Sequence, residues 1–124
     1  MTSTGFDDEH HGTIEIRVDD DRARLVLRGE IDGARRDEAS RALAAVVTAA
    51  VPVEIETAEV TFIDSSGIAF LVQIQTIGAD EGFPVTLVEP SEIVSDVLRM
   101  IGLDDRFGLA PSATGAKELI RLVS

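Results

Sequence analysis

Two adjacent serines at the entrance to an apolar segment are the side chains in this sequence best placed to do chemistry. They stand in Val60-Thr61-Phe62-Ile63-Asp64-Ser65-Ser66-Gly67, where an apolar stretch meets a polar cluster. The cluster opens the run Ile68-Ala69-Phe70-Leu71-Val72, which reads as a buried helix. A helix N-terminus leaves backbone N–H groups unpaired and carries roughly half a positive charge. A serine there serves as an N-cap worth about 1 kcal/mol, or it accepts a phosphate. A phosphoserine adds about −1.5 to −2 charges, which a helix N-terminus tolerates without unfolding the domain. One cap needs one hydroxyl, so a second serine at the same entrance is left over. A second polar cluster, Gly29-Glu30-Ile31-Asp32, follows an apolar strand. On local grounds it is a turn, with Asp32 available to cap the helix after it.

Other chemistries lack their residues. The only histidines, His10 and His11, lie in the polar stretch at the N-terminus, so no imidazole is held beside a serine as a hydrolase triad requires. Gly-x-Ser-x-Gly is absent. Those histidines with Asp7, Asp8 and Glu9 make a poor preformed metal site on a flexible segment. With no cysteine there is no disulfide, thiolate metal site or thiol nucleophile. No P-loop and no glycine-rich dinucleotide fingerprint occurs. The expectation is a protein that is not an enzyme and holds no cofactor or metal.

The elements that must position the serines follow from periodicity. Residues 1–12 read as a mobile N-terminal tail and residues 13–124 as one domain. Thr13 to Val18 alternates as a half-buried strand, a polar turn at Asp19 to Arg22 follows, and Arg24 to Arg28 forms a second strand, together a hairpin. Gly29 to Gly33 then breaks the strand. A helix is expected from about Ala34 to Ala50, with Ala39, Ala42, Leu43, Val46 and Val47 on its apolar face and Pro52 as its stop. Val53 and Ile55 mark a third strand, and Ser66 to about Ala79 a second helix. Pro84 to Glu89 holds a fourth strand. Pro90-Ser91 opens a third helix with Gly102 as its C′ cap. Phe107-Gly108-Leu109 reads as a short strand and Lys117 to Val123 as a last helix. Hairpin first, then helix and strand in alternation, gives an α/β fold: a mixed central sheet of four to five strands with about four helices.

Charge narrows the partners. The 124 residues carry 11 Lys and Arg against 23 Asp and Glu, a formal net charge of −12. Such a chain repels phosphate backbones and anionic membrane surfaces, so neither nucleic acid nor membrane is an expected partner. The charge suggests a partner with a basic docking face. No apolar run approaches the roughly 20 residues that span a bilayer, and residues 1–12 show no secretory signal. The expected setting is cytoplasmic. Phe is the only aromatic residue type, so the core is expected to be aliphatic.

These segments resemble the STAS domain, specifically the bacterial anti-sigma factor antagonists. Leu27-Arg28-Gly29-Glu30-Ile31-Asp32 is similar to that family's Gly-Glu-hydrophobic-Asp loop, and Val60 to Gly67 to its hydrophobic-Asp-Ser-Ser-Gly signature. The Pro90-Ser91 turn with Leu98 to Phe107 resembles its third helix and following strand, and the likeness extends over about residues 13–123. The resemblance implies the STAS fold. It implies phosphorylation at Ser65, with Ser66 in second place, and a switch surface of Asp32, Asp64, Ser65, Ser66 and Gly67. The chemistry of the two hydroxyls does not separate them. The implied partner is an anti-sigma factor with a GHKL-type serine kinase domain. The unphosphorylated form binds it and releases the sigma factor, phosphorylation of Ser65 ends binding, and a PP2C-type phosphatase resets the cycle. A monomer or weak homodimer is expected. The alternative is a STAS-type ligand-binding or stressosome-like assembly module that phosphorylation does not switch. Phe70 is bulkier than expected after the signature, and Gln73 and Gln75 stand where relatives commonly carry basic residues.

Overall fold

The computed structural model describes residues 12–103, 105 and 107–110. Strands β1 (Thr13–Val18) and β2 (Ala23–Ile31) form an antiparallel hairpin, its turn closed by Asp19 N–H donating to the Arg22 carbonyl at 2.8 Å. A 3-10 turn (Gly33–Arg35) leads into α1 (Arg36–Ala49), followed by β3 (Val53–Ile63), α2 (Ser65–Glu81), β4 (Val85–Val88), α3 (Glu92–Met100) and β5 (Gly108–Ala110). The strands make one sheet in the order β1-β2-β3-β4-β5, antiparallel in the first pair and parallel thereafter. This is the mixed sheet expected from the sequence.

Four boundaries differ from expectation. Gly29 does not end β2. It adopts φ +72, open to a residue without Cβ, at an irregularity in the pairing, and the strand runs on to Ile31 beside Ile63. β3 extends well past Ile55, to Ile63. Its register with β2 slips between Val26 and Arg28 and again between Gly29 and Glu30. The buried positions therefore fall at Val53, Ile55 and Thr57, then at Val60 and Ile63, and simple alternation is lost. The stretch expected to begin α1 is the 3-10 turn instead, because Asp32 accepts from the Ala34 N–H and fixes that tighter geometry. Gly12 belongs to the packed domain rather than to a tail. It is buried, its carbonyl accepts from Arg35 Nη1 at 2.9 Å, and a Cβ there would lie 2.2 Å from the Glu30 carbonyl oxygen. The expected tail over the preceding residues and the last helix at Lys117 to Val123 lie outside the described residues.

One face of the sheet carries the core. Leu25, Leu27 and Ile31 of β2, with Ile55, Val60 and Ile63 of β3, are buried against Val46 of α1, Leu71 and Ile74 of α2, and Leu98 of α3. The core is mainly aliphatic, and Phe70, Phe83 and Phe107 join it. The other face bears charged side chains on neighbouring strands: Arg24 pairs with Glu56, and Arg28 lies 3.5 Å from both Glu15 and Glu59. The hydrogen bonds that Arg24 donates to the Glu56 carboxylate, and then that carboxylate's charge, raise the Arg24 guanidinium above its ordinary pKa. α3 closes as expected, with Gly102 at φ +74 and the Leu103 N–H returning to the Leu98 carbonyl at 2.8 Å.

Candidate functional site

The parallel strands β2 and β3 end side by side, and the two polar clusters meet there. The Asp64 N–H donates to the Ile31 carbonyl at 3.2 Å, which ties the end of β3 to the end of β2. Gly33 then lies against α2: a Cβ on it would be 3.8 Å from Ser66 Oγ. Segments more than thirty residues apart in sequence thus form one surface.

Asp64, not a serine, caps α2. Its backbone is extended, and Oδ1 accepts from the N–H groups of Ser66 at 2.9 Å and Gly67 at 3.1 Å. Its negative charge also stands against the positive end of the helix dipole. Those two N–H groups are thereby capped without either hydroxyl. Ser65 and Ser66 are both exposed, and neither side chain makes a hydrogen bond among the described residues. The surface therefore presents two unengaged hydroxyls over a helix N-terminus, the setting in which an added phosphate is electrostatically tolerated.

The other expected residues take distinct places. Asp32 is half-buried and caps the 3-10 turn, its Oδ1 accepting from the Ala34 N–H at 3.0 Å. Gly67 is buried for a packing reason: a Cβ would lie 2.5 Å from Ile63 Cγ1 and 2.7 Å from the Ile31 carbonyl oxygen. The α2 backbone can approach β2 and β3 this closely only without a side chain. Asp32, Ser66 and Gly67 all line one cleft between α1 and α2, whereas Ser65 and Asp64 lie outside its lining. The bulk of Phe70 is absorbed by the core, where it is 3% exposed.

Sequence reasoning missed the clamp that holds the 3-10 turn. Arg35 Nη1 donates to the Gly12 carbonyl and, at 2.8 Å, to Glu38 Oε2, while Glu38 Oε1 accepts from the Ile14 N–H at 3.0 Å. The i, i+3 spacing of Arg35 and Glu38 was visible, but their joint reach to β1 depends on tertiary placement. Among the described residues no cluster of three or more His, Cys, Asp or Glu side chains could hold a metal ion. None of their helices is long and apolar enough to cross a membrane.

A hairpin-led mixed sheet, with an Asp-Ser-Ser-Gly helix entry beside a Gly-Glu-Ile-Asp strand end, defines a STAS domain. The sequence profile of the family described as "Mlab, STAS domain" matches residues 14–111, and the chain belongs to that family. A comparison with curated proteins gave no match. Among solved structures, an anti-sigma factor antagonist from Mycobacterium paratuberculosis is similar at 26% identity and a TM-score of 0.65, covering 90% of this chain and 96% of that one. The anti-sigma factor antagonist SpoIIAA in its unphosphorylated form is similar at 20% identity and a TM-score of 0.65, covering 90% and 98%. SpoIIAA of Bacillus is also known in a phosphorylated form. A variant of RsbS from Moorella thermoacetica is similar at 18% identity and a TM-score of 0.69, covering 89% and 96%. The likenesses to SpoIIAA and RsbS establish the fold.

Proposed function

We propose that this protein is an anti-sigma factor antagonist. Its unphosphorylated form docks on an anti-sigma factor with a GHKL-type serine kinase domain and so releases a sigma factor. The observation that carries this reading is the Asp64 cap, which leaves the exposed Ser65 and Ser66 hydroxyls without a structural task. Membership of the STAS family and the likeness to the Mycobacterium paratuberculosis antagonist support it.

In the proposed step the Ser65 hydroxyl oxygen attacks the γ-phosphorus of ATP. Its proton passes to a base on the kinase, and ADP leaves. The phosphate brings about two negative charges to the docking surface, where the chain already places Asp32 and Asp64. Burying those charges against a partner shaped for a neutral hydroxyl costs desolvation as well as repulsion. A thousandfold loss of affinity needs only about 4 kcal/mol. No refolding is required, and hydrolysis by a PP2C-type phosphatase restores the docking form. The protein acts here as a cytoplasmic regulatory module, not as an enzyme.

The test is intact-mass spectrometry after incubation with ATP and each GHKL-type serine kinase of the source organism. One added phosphate, mapped to Ser65, is the expected result. Ser65→Ala should bind the partner and stay unmodified, and Ser65→Asp should bind at least tenfold more weakly. Equal binding by both variants removes Ser65 from the switch. Phosphate on Ser66 instead moves the acceptor one residue into the helix.

A further inference from the structure

The cleft between the 3-10 turn, α1 and α2 is a cavity of about 270 Å³ that adjoins the proposed switch surface and shares Asp32, Ser66 and Gly67 with it. Part of its wall is apolar, with Ile31, Leu43 and Phe70 among the residues that form it. Its polar fringe is rich in hydrogen-bond donors: Arg36, Ser40, Ser66 and Gln73 line it, and none of these side chains is engaged in a hydrogen bond or ion pair among the described residues.

The charges of the cleft do not cancel in the same way. Arg35 is matched by Glu38 at 2.8 Å, and Asp32, one oxygen of which accepts from the Ala34 N–H, keeps its negative charge at one edge of the cleft. Arg36 is exposed and unmatched. A ligand that fits this arrangement has an apolar body for the wall and an acceptor-rich anionic end for Arg36 and the hydroxyls. A concave site that sets convergent polar groups beside an apolar surface is the usual form of a small-molecule site. We propose that this cleft binds a small organic monocarboxylate, its carboxylate at Arg36 and its hydrocarbon part against Leu43 and Phe70. The proposal does not rest on Ser65 being the phosphate acceptor, although cleft and switch surface share Asp32, Ser66 and Gly67.

The test uses the isotope-labelled full chain and two-dimensional amide NMR, with sodium benzoate and sodium hexanoate as probes. Benzamide and inorganic phosphate separate the contributions of charge and hydrocarbon. The expected result is saturable shifts from the carboxylates, concentrated on Gly33, Ser40, Ser66, Gly67 and Gln73. Arg36→Gln should weaken benzoate at least tenfold while leaving the spectrum otherwise native. Ala39→Leu, which fills the cleft from α1, should abolish the shifts. Benzamide binding as tightly as benzoate removes the carboxylate from the recognition. Phosphate displacing benzoate at equal concentration reduces the site to nonspecific charge. Shifts that are scattered, or that fail to saturate in the millimolar range, overturn the site altogether.

Discussion

At the residue scale, the decisive assignment is which side chain caps α2. An extended Asp64 backbone lets one carboxylate oxygen reach two N–H groups, at 2.9 and 3.1 Å. A cap of this kind is worth about 1 kcal/mol, and a charged acceptor at the positive helix end adds a few tenths to about 1 kcal/mol. Asp64→Ala should therefore lower the unfolding free energy by about 1–2 kcal/mol, read as a shift in the urea midpoint at unchanged slope. Asp64→Asn, which keeps the acceptor and loses only the charge, should recover most of that. Ser65→Ala should leave the midpoint nearly where it is, since its hydroxyl makes no bond. A larger loss for Ser65→Ala than for Asp64→Ala would return the cap to the serine. The sequence showed the helix entry but not this division of labour. Asp, Ser and Ser are all good caps, and only the local backbone decides which one turns back.

At the element scale, strand β1 is held to the start of α1 through side chains as well as by its ladder with β2. Glu38 bridges the Ile14 N–H and Arg35, and Arg35 in turn holds the Gly12 carbonyl. Arg35 is only 14% exposed, so removing its carboxylate leaves a mostly buried guanidinium unmatched. Glu38→Ala should destabilise by about 1–3 kcal/mol, and the Ile14 amide should exchange with solvent at least tenfold faster. Glu38→Gln keeps an acceptor for Ile14 and should protect that amide while still losing part of the stability. Unchanged exchange at Ile14 in Glu38→Ala would show that the hairpin ladder alone sets β1's protection. The contacts of this clamp span 24 residues, beyond what local periodicity records. The same limit explains the strands. β1 and α3 were legible because each obeys a single period, α2 because its long apolar run follows a capping cluster, and β4 because Pro84 and Pro90 bound it. The far halves of β2 and β3 were not, because two register slips shift the buried positions and Gly29 imitates a turn.

At the scale of the whole molecule, the charge surplus decides the response to salt. The chain carries 23 acids against 11 bases, so the acids exceed the available basic partners by 12 and repulsion dominates its net electrostatics. The exposed pairs, such as Arg22 with Glu54 at 3.3 Å and Arg99 with Asp96 at 3.2 Å, are each worth about 0–1 kcal/mol and weaken as salt rises. The general repulsion weakens too, as the screening length falls from about 30 Å at 0.01 M to about 8 Å at 0.15 M. With the acids in such excess, relief of repulsion wins, and the urea midpoint should rise over that interval. Docking responds with the opposite sign. Attraction between an acidic face and a basic partner accelerates encounter at low salt, and screening removes the acceleration. The association rate with the proposed anti-sigma factor partner should therefore fall at least tenfold across the same interval, while dissociation changes little. Stopped-flow mixing at several salt concentrations measures this directly. A rate that is flat or rises with salt would mean that the partner does not meet this protein through a basic surface. In that case docking rests on shape and apolar contact at the ends of β2 and β3.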